Sequence, residues 1–532
     1  MSRHRLVAAA TATLLLGGLA AAAPSSAAAE PTITHGCIAS APEPGSQAPV
    51  DICYTLFQPA GATAARPVPA VMHGHGWGGS RQRTVSAEFQ ALLDAGYGLL
   101  SFDQRGFGQS GGRAHTLQAD IEAHDVLGLV DLLAAQPWVR KEPGTADDPV
   151  LGAIGGSYGG GYQYLGAFAD QLYNGRNRFD ALAPEITWND LKTALAPDEV
   201  ARSVWLSLLT AVSLQDNDER AQRAFAYGAA TGLWASGPAA EALDADMDAY
   251  FDKTGPRWHV EQGRRLDIPL LMRQGTSDTL FNLNEAVANF DSVLTPGARA
   301  QSLLIGYNGG HVLPAPSVVP AGSAPNGDPC SAELGGSWQA LRLAFFAQHL
   351  KGDRTAQVRG TGQYHLGTTD AKDCVTVDSV RPTTTVTLGD VVTTAAAGAP
   401  QYRELAAGPL TIAGVPRVDA VVSSAGLNNK AFFALAVGTS PADAVVVHNN
   451  LMPLHEPVPL VGSERSVELA GVAATLAAGQ RLYLVVSPVS DQFGTNGSRT
   501  PGALVLRNTR VQLPVVQAEA PVRPALVGRA AR

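Results

Sequence analysis

Ser157 stands in the stretch IGGSYGGGY, residues 154–162, where Gly155, Gly156, Gly159, Gly160 and Gly161 strip away almost every side chain around one hydroxyl. Glycine is costly in regular structure and is kept where the backbone turns sharply or is closely approached. Gly155-Gly156-Ser157-Tyr158-Gly159 fits G-x-S-x-G. It follows an apolar, strand-like run, PVLGAIGG, and opens a helix-like run, GGYQYLGAFADQLY. That strand–turn–helix setting is the one a nucleophile elbow requires. Such a turn lifts the hydroxyl to the carboxyl end of a sheet, beside the positive end of the following helix. The alternative is an ordinary serine in a flexible glycine-rich loop.

A serine hydroxyl is a weak nucleophile at its own pKa, so it needs a base, and the base needs an orienting acid. After an elbow the expected chain order is serine, then acid, then histidine, each on a turn behind a later strand. Asp278, in RQGTSDTLFN, follows the strand-like IPLLMRQG, and His311, in IGYNGGHVL, follows QSLLIGY. Asp278 could instead be a turn or capping residue, and His311 a surface loop residue. His115, His124 and His259 precede Asp278, and His365, His448 and His455 lie on no matching strand end of the α/β region. An oxyanion hole needs two backbone N–H donors. Tyr158, the residue after the nucleophile, supplies the first. The second is expected from the loop HGHGWGGS, residues 73–80, in the register that makes Trp77 the donor, with His75 as the alternative. His73 and His75 are read as shaping this loop rather than as metal ligands. In FDQRGFGQSGG, Asp103 and Arg105 could bind substrate, but a turn held by an internal salt bridge is the better reading.

The elements that must position these residues alternate from about residue 50. Strand-like and helix-like segments follow one another, which implies a mostly parallel sheet covered on both faces. The alternation stops between roughly 178 and 262, read as a helical cap insertion, and then resumes through GSWQALRLAFFAQHLKG. A proline-rich loop, residues 312–336, interrupts the last pair, and Cys330 is placed to pin it. Beyond about 378 only short β-rich runs remain, which predicts a separate antiparallel β-sandwich over 378–516, followed by a Pro/Ala/Arg-rich tail, 517–532. The first 29 residues have a basic start, an apolar middle and a small-residue exit at Ala27–Ala29, the layout of a signal peptide. The chain is therefore expected to be exported, as a hydrolase domain over 30–377 plus the β-domain.

The formal net charge is −9, and it becomes −9 − 2 = −11 once Arg3 and Arg5 leave with the signal. That argues against a nucleic-acid binder. No later run is apolar for long enough to span a bilayer. Four cysteines, Cys37, Cys53, Cys330 and Cys374, allow three pairings in an exported chain. Proximity favours Cys37–Cys53 and Cys330–Cys374. No CxxC or clustered-histidine spacing suggests a metal, and no phosphate-binding glycine motif precedes a helix in a nucleotide-binding context. Neither metal nor cofactor is expected.

On GGSYGGGYQY, FDQRGFGQSGG, QGTSDTLFN and GYNGGH, the chain resembles the secreted acyl hydrolases of the X-prolyl dipeptidyl peptidase and cocaine-esterase type, over about residues 50–516. The resemblance implies an α/β-hydrolase core, a cap before the acid and a C-terminal jelly roll. It also implies a small ester or short peptide substrate. One departure is visible. Cocaine-esterase-type members place a tyrosine hydroxyl in the oxyanion hole, whereas HGHGWGG offers tryptophan and histidine, so an all-backbone hole is expected. The expectation is a serine hydrolase with Ser157, Asp278 and His311. A reading from another class is a cell-wall or carbohydrate-binding protein with a decayed hydrolase core.

Overall fold

The computed structural model describes residues 30–214, 216–311, 327–396, 398–490, 492–494, 497 and 501–518. The signal-peptide segment 1–29, most of the proline-rich loop (312–326) and the tail from 519 lie outside the described residues.

Ten strands make one sheet: β1 (Thr32–Ser40), β2 (Val50–Gln58), β3 (Ala70–Gly74), β4 (Gly98–Phe102), β5 (Leu151–Gly156), β6 (Ala181–Glu185), β7 (Leu271–Gly275), β8 (Leu303–Tyr307), β9 (Tyr364–Gly367) and β10 (Cys374–Val377). Their spatial order is β1-β2-β4-β3-β5-β6-β7-β8-β9-β10. The run from β4 to β9 is parallel, and the outer strands β1, β2 and β10 pair antiparallel. Successive residues point to opposite faces of a strand. Val71, Leu99, Ile154, Leu271 and Leu303 therefore fill one apolar layer, and Met72, Leu100, Ala153, Met272 and Leu304 the other. Helices Ala87–Asp94 and Trp338–Lys351 cover the first layer through Phe89, Phe345 and Phe346. Helices Glu122–Ala134 and Tyr158–Ala169 cover the second through Val130, Leu133, Leu165 and Phe168.

The strand-free stretch expected from residue 178 is corrected by β6, whose ALAPE sequence pairs in parallel with β5. Nothing in Ala-Leu-Ala-Pro-Glu favours a strand intrinsically. Its extended state is set by its neighbours in the sheet. The cap helices begin only after it, with Leu191–Leu195, Ser203–Ala211 and Glu219–Thr231. β1 also lies in a segment that gave no strand expectation. Its Cys37 sits directly across from Cys53 of β2, and the two are disulfide-bonded. Cys330 and Cys374 form a second bridge, tying the start of helix Pro329–Gly335 to β10.

The C-terminal part is all antiparallel. A four-stranded sheet, ordered Thr384–Thr394, Ala503–Leu513, Arg417–Ala425 and Leu460–Glu468, faces a second built on Gln401–Ala407, Arg481–Ser487 and Asn429–Gly438. Val386, Val422 and Leu506 of the first pack with Leu405, Phe433 and Leu484 of the second in a shared core. The last strand, Val515–Ala518, pairs with Leu410–Gly414, so residues 517 and 518, expected in the tail, belong to the sheet.

Candidate active site

The turn between β5 and helix Tyr158–Ala169 carries Ser157 at φ 57°, ψ −122°. A non-glycine residue at positive φ is strained and persists only where its surroundings enforce it. Here the Ser157 N–H donates to Glu185 O at 2.9 Å. The glycines allow the helix to lie against β3. A Cβ on Gly159 would stand 2.1 Å from Gly74 O, and Gly155, at φ +143°, would bring one within 2.5 Å of the same atom.

The structure brings the three sequence candidates together. His311 Nε2 lies 2.9 Å from Ser157 Oγ, and His311 Nδ1 lies 2.7 Å from Asp278 Oδ2. A carboxylate opposite Nδ1 makes that nitrogen the donor, which leaves Nε2 to accept the serine proton. Asp278 is fully buried. Its Oδ1 accepts the N–H groups of Leu280 and Phe281 at 2.9 Å each, and Gln274 Nε2 donates to Oδ2 at 3.3 Å. Trp205 and Phe281 meet the imidazole of His311 edge-on, with centroids 5.6 and 5.2 Å away.

Trp77 and Tyr158 both line the cavity that contains Ser157. The Gly79 N–H donates to Gly76 O at 3.0 Å, closing a turn with Trp77 second and Gly78, at φ +74°, third. That is a type II pattern. A Cβ on Gly76 would be 3.9 Å from Ser157 Cβ, so this turn runs beside Ser157. The Trp77 indole is used elsewhere, donating to Leu209 O on a cap helix at 3.1 Å. Tyr158 opens its helix, where an N–H has no intrahelical acceptor, and its hydroxyl donates to buried Glu122 at 2.8 Å. His73 is half-buried, with Nδ1 2.9 Å from Ser101 Oγ, and desolvation pushes its pKa down to about 4. Asp103 and Arg105 are absorbed into buried ion pairs with Arg81 and Asp125, as a structural turn requires. Among the described residues, no three His, Cys, Asp or Glu side chains gather as metal ligands.

The pocket over Ser157 is walled by Trp188, Leu191, Leu195, Leu209, Phe225 and Phe281, among others, and no charged side chain among the described residues lines it. Sequence reasoning expected a lid but named none of these residues. For those on the cap helices the only signal was the apolar period of their segments, which does not say which face looks inward. Also unforeseen is support from the β-domain. Asn450 Nδ2 donates to the Asp278 carbonyl at 2.8 Å, and His448 Nδ1 lies 2.9 Å from Thr276 Oγ1. No helix of the described residues is long and apolar enough to cross a membrane.

Comparison with known proteins agrees with this architecture. An uncharacterized 31.7 kDa protein in the traX-finO intergenic region of Escherichia coli is 29% identical over 103 residues. That match spans 19% of this chain and only 34% of the length of the relative. An alpha-amino acid ester hydrolase superposes with TM-score 0.61 at 14% identity, over 95% of this chain and 100% of that one. A CocE/NonD family hydrolase from Staphylococcus aureus superposes with TM-score 0.60 at 12% identity, over 91% of this chain and 94% of its own. At such identities these two matches speak for the fold, an α/β-hydrolase core with an antiparallel β-domain. The family model of X-Pro dipeptidyl-peptidase (S15 family) matches residues 50–312, a span that runs from β2 past His311. Over those residues the chain is similar to the X-Pro dipeptidyl-peptidase (S15) family.

Proposed function

We propose that this protein is a serine hydrolase that cleaves esters of uncharged, apolar acyl groups through an acyl-enzyme. One observation carries the reading: the hydrogen-bonded line from Ser157 Oγ through His311 to Asp278, at 2.9 and 2.7 Å, opening into an apolar pocket. Ser157 Oγ attacks the carbonyl carbon as His311 Nε2 takes its proton. The carbonyl oxygen, now an anion, is held by the N–H groups of Tyr158 and Trp77. His311 returns the proton to the leaving alcohol as the C–O bond breaks. A water then repeats the sequence on the acyl-serine, releasing the acid.

The choice of acyl group rests on the walls of the pocket. A peptide N-terminal ammonium placed there would be desolvated without a carboxylate partner among the described residues, at a cost of several kcal/mol. The family match supports a second reading, cleavage after an X-Pro pair. A p-nitrophenyl butyrate assay beside Ala-Pro-p-nitroanilide separates the two, and the ester is expected to be turned over at least about 100-fold better in kcat/KM. Equal or better turnover of the anilide overturns the ester preference. A fluorophosphonate probe is expected to label the wild type and not Ser157→Ala, and labelling that survives this substitution removes the assignment of the nucleophile. Export fits the two disulfides, which persist in oxidising compartments. The full chain, expressed in a secreting host, is expected in the medium with an N-terminus near Glu30.

A further inference from the structure

His75 is buried beside the candidate oxyanion turn, yet its ring does not reach Ser157. Both of its nitrogens are committed elsewhere. The backbone N–H of Gln104 donates to Nε2 at 3.0 Å. A nitrogen that accepts carries no hydrogen, so in the neutral ring the proton sits on Nδ1. Nδ1 lies 2.7 Å from Gly76 O and therefore donates to it. Burial, the largest influence, lowers the pKa of the ring and keeps it in this neutral form. Gln104 holds the other side of the residue as well, since its Nε2 donates to His75 O at 2.5 Å. Gln104 is itself anchored just after β4, next to Asp103, whose carboxylate is paired with buried Arg81.

The consequence lies in the next peptide unit. The Gly76–Trp77 bond is trans, since the one cis bond among the described residues is Gly408–Pro409. In a planar trans peptide the N–H points opposite to the C=O. Two donors, His75 Nδ1 and the Gly79 N–H, hold the Gly76 carbonyl on the imidazole side. The Trp77 N–H is thereby turned to the other side, and Gly76 lies against Ser157. We propose that His75 is a positioning residue: by donating from Nδ1 to Gly76 O it locks the peptide plane that aims the Trp77 N–H at the oxyanion. This rests on the reading of Ser157 as nucleophile. It also gives a role to His75, the alternative donor in the sequence reading, with the ring acting one peptide away from the reacting atoms.

Two substitutions of similar size separate the two ring contacts. His75→Asn keeps an amide donor at the Nδ1 position and loses the acceptor for Gln104 N–H. His75→Gln keeps an acceptor at the Nε2 position and loses the donor to Gly76 O. In the full-length protein, with p-nitrophenyl butyrate, His75→Asn is expected to retain kcat within about threefold. His75→Gln is expected to lose about 10- to 100-fold in kcat with KM within about threefold, below the 10²–10³ seen when an oxyanion donor is deleted outright. Affinity for a trifluoromethyl ketone analogue, which carries the oxyanion, is expected to fall in parallel with kcat for His75→Gln. Affinity for butyrate is expected to be unchanged. Equal kcat for the two variants, or a loss confined to KM, overturns the proposal. If the wild type turns over no ester and its Ser157 takes no fluorophosphonate, it is the nucleophile reading that fails. Turnover lost in Ser157→Ala alongside equal His75 variants means that only the positioning role is wrong.

Discussion

In the proposed mechanism, Asp278 decides where one hydrogen sits. Its Oδ2 faces His311 Nδ1 at 2.7 Å, while Oδ1 is held by two backbone N–H groups. An asparagine would fit the same space but present an amide where the imidazole needs an acceptor, so the ring would adopt the other tautomer and lose its ability to take the serine proton. Asp278→Asn is expected to lower kcat about 10⁴-fold in steady-state ester hydrolysis, with little change in KM. A loss smaller than about 30-fold would argue that the carboxylate does not fix the tautomer.

At the scale of the elements, two contacts decide whether the site exists. The first is the approach of helix Tyr158–Ala169 to β3. Gly159→Ala places a methyl 2.1 Å from a carbonyl oxygen that has no room to retreat. A cost of about 3 kcal/mol, typical of an overpacked core, is expected in urea unfolding. Gly297→Ala, in helix Pro296–Arg299, where no atom lies closer than 3.9 Å, is expected to be near neutral. The second contact ties cap to core. Glu285, on helix Leu283–Ser292, accepts the N–H groups of Asn189 and Asp190 at 2.8 and 3.0 Å, and burial pushes its pKa up to about 7. The folded protein keeps this proton to higher pH than the unfolded chain, where the group ionises near 4.5. The stability that this group contributes is therefore full below about pH 4.5 and is lost as pH rises toward 7, by up to about 3 kcal/mol. Glu285→Gln can accept the same two bonds without titrating. Its stability relative to wild type is expected to grow between pH 5 and 7, as read by thermal unfolding, and parallel curves would contradict the assignment.

Over the whole molecule, the β-domain is more than an appendage. Its loop around His448 and Asn449, both at positive φ, reaches the turn that carries Asp278. Asn450 supplies the bond to the Asp278 carbonyl, and His448 touches Thr276 two residues earlier. Removing a donor from a buried carbonyl costs about 1–3 kcal/mol, and the strain falls on the loop that aims Asp278. Asn450→Ala in the full chain is expected to lower kcat about tenfold while leaving KM within about threefold, and an unchanged kcat would show that the loop holds itself. This coupling also weighs against a β-domain that serves only as a carbohydrate module. Of its aromatic rings among the described residues, Phe432, Phe433, Tyr483 and Phe493 are buried and Tyr402 is half-buried, packed edge-on against Tyr483, so none stands fully exposed as a platform for a sugar.

What could be read from the sequence was local. The elbow announces itself because strand, turn and helix are contiguous and glycine is demanded by the turn. Asp278 and His311 stood out because each follows an apolar run that reads as a strand, and strands of a parallel sheet end at one edge. The pairing of Cys37 with Cys53 followed from their closeness in the chain. β6 was hidden, since its extended state comes from β5 and β7 rather than from its own Ala and Pro residues. The pocket walls, the double grip on His75, and the reach of Asn450 across 172 residues to the acid turn were decided only in three dimensions. Hydrophobic period and turn chemistry act over a few residues, whereas the meeting of side chains far apart in sequence depends on how the sheet, cap and sandwich pack.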